Sequence, residues 1–186
     1  MAEARYHQHT PKEEPVEVLE RRTAELSRER PESEEEVLNV VLFQIGSERA
    51  AIPAEYVGEV VSPVNRPTRV PGTPDFVLGV VNLRGRIVAC LDIGAFLGIA
   101  SSFVDSLPFM LLTAFDDIEV GIAADDVSEV ISVPAAKIEP PSSVLNAESA
   151  RFIKGILYVN KHPLSLVDLE GLIRCDRIER LREDAK

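Results

Sequence analysis

After residue 36 the chain is written in short runs of Val, Ile, Leu and Phe, separated by Gly, Pro, Asp or Ser. Apolar runs of that length between turn formers predict strands, and the density of β-branched residues points the same way. The pattern predicts strands over 38–45, 50–52, 57–64, 76–83 and 87–91, with turns at Gly46-Ser47-Glu48 and Arg84-Gly85. A short helical turn over 54–56 links the second and third strands, and Pro67, Pro71, Gly72 and Pro74 mark a loop. Gly85 supplies the positive φ that a tight hairpin requires. Asp92 is placed to cap a short helix over 93–97 that Gly98 ends. A second series follows: strands over 109–115 and 118–123 about an Asp116-Asp117 turn, then 127–133 and a long Pro- and Ser-containing loop over 134–150. Strands over 153–159 and 164–167 come next, with His162 in the turn between them. Asp168 then precedes a helix over 169–173, and residues 174–184 predict a terminal helix.

The two series are copies. Ala51-Ile52-Pro53-Ala54-Glu55-Tyr56-Val57-Gly58-Glu59-Val60-Val61 lies over Gly121-Ile122-Ala123-Ala124-Asp125-Asp126-Val127-Ser128-Glu129-Val130-Ile131, 70 positions later. Phe76-Val77-Leu78-Gly79-Val80-Val81 lies over Phe152-Ile153-Lys154-Gly155-Ile156-Leu157, 76 positions later. Val88, Leu91, Asp92 and Ile93 match Leu164, Val167, Asp168 and Leu169. A duplicated supersecondary unit implies two similar subdomains about an approximate two-fold axis. Units of about five strands rarely stand alone, so the two are expected to share a core. The fold class is all-β.

Residues 1–36 read differently. They hold 11 acidic and 6 basic residues, few apolar ones, and Pro11, Pro15 and Pro31. Such a segment buries too little surface to offset its ordering entropy, so a solvated, largely disordered tail is expected. Val16, Leu19 and Leu26 leave a thin apolar stripe consistent with a marginal helix near 16–30. The folded domain is therefore placed at 37–186.

A net charge of −11 repels phosphate backbones and anionic membrane surfaces, so neither nucleic acid nor lipid is an expected partner. No segment approaches the ~18 apolar residues of a membrane span, and no apolar run follows Met1–Arg5. Cys90 and Cys175 form no CxxC and no disulfide framework, which fits a cytosolic location. Cys90 sits in an apolar strand and reads as a buried structural thiol.

Catalytic patterns are missing. The histidines are His7, His9 and His162, and no further ligands converge on the His7-x-His9 pair by pattern. The sequence contains no HExxH, GxSxG, Walker loop or GxGxxG ahead of a helix. Asp116-Asp117 and Asp125-Asp126 fall in turns, where Asp is favoured for backbone hydrogen bonding rather than acid–base work. The expectation is a binding module with neither enzymatic activity, cofactor nor metal.

The run Gly79-Val80-Val81-Asn82-Leu83-Arg84-Gly85-Arg86-Ile87-Val88-Ala89-Cys90-Leu91-Asp92-Ile93 resembles the signature of the CheW-like family, the coupling proteins of bacterial chemotaxis arrays. The segment over 51–61 resembles the stretch preceding that signature, and the resemblance extends over about 37–175. It implies two intertwined five-stranded SH3-like β-barrels with short helices. It also implies a non-catalytic, cytoplasmic adaptor without cofactor. The implied partners are the regulatory domain of a CheA-type histidine kinase and the cytoplasmic hairpin tip of methyl-accepting chemoreceptors. An alternative within the family is a scaffold in a non-chemotactic pathway, such as twitching motility or development.

The partner-binding positions implied are Val57, Glu59, Asn82, Arg84, Gly85, Val127 and Val130. Val57 and Glu59 match the strand implicated in receptor and kinase contacts, and Arg84 matches the family's hairpin arginine. A surface ion pair between Glu59 and Arg84 is predicted. Asn82 either bonds the hairpin backbone or faces a partner, and each valine is as consistent with core packing as with contact. The chain departs from the family pattern at Ala89-Cys90, where a Pro is common, and at Ile93-Gly94-Ala95, where basic residues are common.

Overall fold

The computed structural model describes residues 36–184, apart from 63, 65, 101–102, 104–106 and 142–146. The stretch read as a tail with a helix near 16–30 lies outside the described residues, as do His7 and His9. Ten strands form: β1 (Val37–Ile45), β2 (Glu48–Pro53), β3 (Val57–Val61), β4 (Val77–Leu83), β5 (Arg86–Leu91), β6 (Phe109–Phe115), β7 (Ile118–Ala124), β8 (Asp126–Pro134), β9 (Ile153–Val159) and β10 (His162–Val167). Four short helices accompany them: α1 (Gly94–Leu97), α2 (Ala147–Ala150), α3 (Leu169–Ile173) and α4 (Asp176–Asp184).

The strands make two five-stranded sheets, ordered β8-β1-β2-β10-β9 and β3-β6-β7-β5-β4. Each sheet takes two strands from one repeat and three from the other. The first two strands of each copy are thus exchanged, and the halves are intertwined. The register repeats with the sequence. Leu166 pairs with Ala51 across β10 and β2, and Cys90 pairs with Gly121 across β5 and β7. Phe43 pairs with Val127, and Thr113 with Val57. Even the irregularities recur, between Val77 and Gly79 and between Val167 and Leu166.

Apolar faces of both sheets meet in one large cluster that includes Phe43, Ile52, Val81, Leu91, Phe96, Leu111, Ile122, Phe152 and Val167. A smaller cluster, Val40, Leu42, Ala51, Leu157, Leu164 and Leu166, fills the first sheet's own interior. Phe76 and its repeat mate Phe152 both stack edge-on against Phe96, with centroids 4.8 and 5.3 Å away. Arg177 of α4 lies 4.2 Å over the Phe96 ring, a cation–π contact that helps seat the terminal helix.

Turn chemistry explains the hairpins. Arg84 and Gly85 have φ of 53° and 88°, and Asn160 and Lys161 have 52° and 68°. Two consecutive positive φ values match the strand twist of a two-residue hairpin. Asp125 accepts a hydrogen bond from the Gly46 N–H through Oδ2 at 2.6 Å, tying the β7–β8 corner to the β1–β2 turn.

Several boundaries differ from the sequence reading. β3 stops at Val61, just ahead of Pro63 in the sequence, a residue with no ladder donor. His162 is the first residue of β10, paired with Val159, because Asn160-Lys161 takes the turn. The 134–150 stretch includes a 3₁₀ turn, Ala135–Lys137, and α2. Asp168 is the N-cap of α3 and accepts from the Gly171 N–H. Asp92 lies one residue before the α1 N-cap and accepts from the Gly94 N–H at 2.9 Å.

Candidate functional site

β3 and β8 are repeat mates, and each is an outer strand of its sheet, bonded on one side to β6 and β1 respectively. They approach one another across the pseudo-two-fold axis. Between them lies a cleft of about 340 Å³ lined by Val41, Ala54, the β3 run Val57–Val60 and the β8 run Val127–Val130. Val60 and Val130 are 41% and 62% exposed on its rim, although valine in a strand is ordinarily turned inward. An apolar surface left open at a strand edge marks a place for a partner.

The charged part of the site comes from the β4–β5 hairpin. Arg84 Nη2 donates to Glu59 Oε1 at 2.8 Å, the pair expected from the family resemblance. The pair is open to solvent, with side-chain exposures of 81% for Arg84 and 37% for Glu59. Asn82 Oδ1 accepts the Gly85 N–H at 2.8 Å, so this asparagine braces the turn that presents Arg84. Nearby, Arg86 grips Glu119 through both carboxylate oxygens, at 2.8 and 3.0 Å.

Of the seven residues singled out from the sequence, Val57, Glu59, Val127 and Val130 line the cleft. Arg84 joins it through Glu59, while Asn82 and Gly85 build the hairpin behind. Sequence reasoning missed Val60 and Glu129. Both were within reach of it, because Val60 is the repeat mate of Val130 and Glu129 that of Glu59. Among the described residues, no three His, Cys, Asp or Glu side chains are grouped to hold a metal. No described helix is long and apolar enough to cross a membrane.

This architecture recurs in known proteins. The family description "CheW-like domain" matches residues 39–176. The chain is 30% identical over 146 residues to the chemotaxis protein CheW of Klebsiella aerogenes, covering 78% of this chain and 87% of that protein. It is 29% identical over 159 residues to the chemotaxis protein CheW of Helicobacter pylori, covering 86% and 95%. The crystal structure of the scaffolding protein TtCheW from Thermoanaerobacter tengcongensis superposes with a TM-score of 0.66 at 26% identity, covering 75% of this chain and 94% of the other. Sequence repeat, exchanged sheets and a matched fold agree over nearly all the described residues, and the chain belongs to the CheW-like family.

Proposed function

We propose that this domain is a non-catalytic adaptor that couples methyl-accepting chemoreceptors to a CheA-type histidine kinase in bacterial chemotaxis. The observation that carries the reading is the apolar cleft between β3 and β8, with Val60 and Val130 open on its rim and the Glu59–Arg84 pair at its edge. An open apolar groove flanked by charge is suited to holding a partner segment, with affinity from the valines and partner choice from the charges. Relatives named as chemotaxis and scaffolding proteins support the same role. In this reading the cleft receives the cytoplasmic tip of the receptor, Val57, Glu59, Arg84, Val127 and Val130 make the contacts, and Asn82 and Gly85 hold Arg84 in place. The protein is cytoplasmic and is recruited to receptor arrays at the membrane through its partners.

Calorimetry with the purified kinase regulatory domain and a soluble receptor-tip fragment, both from the same genome, tests this. Micromolar or tighter binding to each is expected, and a chain beginning at Val37 should bind the kinase domain as the full chain does. Binding to neither would overturn the adaptor reading.

A further inference from the structure

The cleft is symmetric in its apolar positions and asymmetric in charge. Its walls are repeat mates 70 residues apart: Val57 and Val127, Gly58 and Ser128, Glu59 and Glu129, Val60 and Val130. A segment lying in it would meet equivalent valines in either of two directions related by a half-turn. The carboxylates remove that ambiguity. Glu59 is held by Arg84 at 2.8 Å. Glu129 is exposed and has no ion-pair partner among the described residues. The hairpins account for the difference: the second-copy position equivalent to Arg84 is Asn160, which carries no charge, and Lys161 beside it makes no ion pair with Glu129.

An uncompensated carboxylate beside an apolar floor, on a chain of net charge −11, attracts a cation and rejects an anion. Resting on the adaptor reading, we infer that the cleft takes an apolar segment of the receptor tip bearing a Lys or Arg that sits over Glu129, and that this contact sets the direction in which the segment lies. In the reverse direction the same cation would reach Glu59, already neutralised, and would meet the Arg84 guanidinium. The wrong orientation is thus opposed by like charge as well as deprived of a contact.

The test is calorimetry between the full-length chain and a soluble receptor-tip fragment. Glu129→Lys is expected to weaken binding about tenfold or more, and Glu129→Gln about threefold. Glu179→Lys, the same charge change on α4 outside the cleft, should stay within about twofold. Changing one basic residue of the tip to Glu should restore binding to the Glu129→Lys chain. A nitroxide placed beside that tip residue should broaden amide signals of β8 more than those of β3. Unchanged binding by Glu129→Lys, or an equal loss in Glu179→Lys, overturns the inference while leaving the adaptor reading standing. Failure of the wild-type chain to bind the tip overturns both.

Discussion

Arg84 occupies a backbone position that resists it. At φ 53° it lies in the left-handed region, where the equivalent residue of the second hairpin is Asn160, a side chain that tolerates the conformation. The strain costs about 1 kcal/mol, and an ion pair as exposed as Glu59–Arg84 returns about 0–1 kcal/mol. The arginine therefore adds little to stability, and in the proposed adaptor role its use is at the surface. Arg84→Asn should leave the melting temperature level or slightly raised, and Arg84→Glu should change unfolding free energy by under about 1 kcal/mol. Both should weaken receptor-tip binding by calorimetry. A large loss of stability in Arg84→Glu would assign the residue to the fold instead. Gly121 shows the opposite dependence, on its interior neighbour. Its repeat mate is Ala51, yet a methyl group at 121 would collide with the Met110 side chain, whose own mate is Val40. One copy fills this layer with Val and Ala, the other with Met and Gly. Gly121→Ala should destabilise by about 1–3 kcal/mol in urea titration, and adding Met110→Val should recover most of the loss. Cys90 is buried, and burial first, with the Asp92 charge second, pushes its thiol up to about 12 from an ordinary 9.0. The folded state holds a proton that the unfolded state releases, so this contribution is full below pH 9 and is lost as pH rises toward 12. The urea midpoint should fall over that window less steeply in Cys90→Ala than in the wild type.

At the scale of elements, the recurring glycines explain much of what was legible in the chain. Gly79 and Gly155 occupy the same place in the two copies, and each lies where another segment crosses the strand. A Cβ on Gly79 would run into the Thr68 carbonyl, and one on Gly155 into Ile138 and the Glu139 carbonyl. The crossing segments are tied there by bridges, Thr68 to Val80 and Glu139 to Ile156. The coincidence of Phe-x-x-Gly in both copies therefore records a backbone contact that apolar periodicity alone could not display. Gly85 differs, having φ 88° and open space around it. Gly85→Ala should cost about 1 kcal/mol, from the backbone conformation alone. Gly79→Ala, at φ 139° and against backbone, should cost about 3 kcal/mol or more. Equal denaturant midpoints for the two variants would show that the Thr68 crossing yields readily. The strands and turns were readable because turn formers and apolar runs act locally. The end of β3 was misread because the apolar run was carried through Pro63, which has no ladder donor, to Val64, and the β9–β10 turn because Asn160-Lys161 and His162-Pro163 are both turn candidates that local pattern does not rank.

For the whole molecule, the sequence implied two copies about an axis but did not by itself say which strands share a sheet. Alternation specifies the face that a strand buries, whereas its neighbour is decided by long-range pairing, and an unexchanged pair of barrels would have the same local pattern. It was resemblance to the CheW-like family that implied intertwining, and the pairings give its form: among the described residues β3 pairs with β6, and β5 joins β7, both from the other copy. The cleft depends on this exchange, since it places the outer strands β3 and β8 side by side at the axis. A consequence follows for folding. A fragment ending before Leu107 would contain two hairpins and an unpaired β3, with the outer edges of β1 and β2 left without their lateral partners β8 and β10. Hairpins without lateral partners are marginal in water. Neither that fragment nor one beginning at Leu107 should show a cooperative thermal transition as a monomer. Mixed in equal amounts, they should recover a cooperative transition and the dispersed amide spectrum of the intact chain, because every missing strand partner is then supplied. Cooperative unfolding of either fragment alone, as a monomer at dilute concentration, would mean that one copy can close its own barrel. In that case the cleft would be a product of the covalent link between copies rather than of the exchange that builds the sheets.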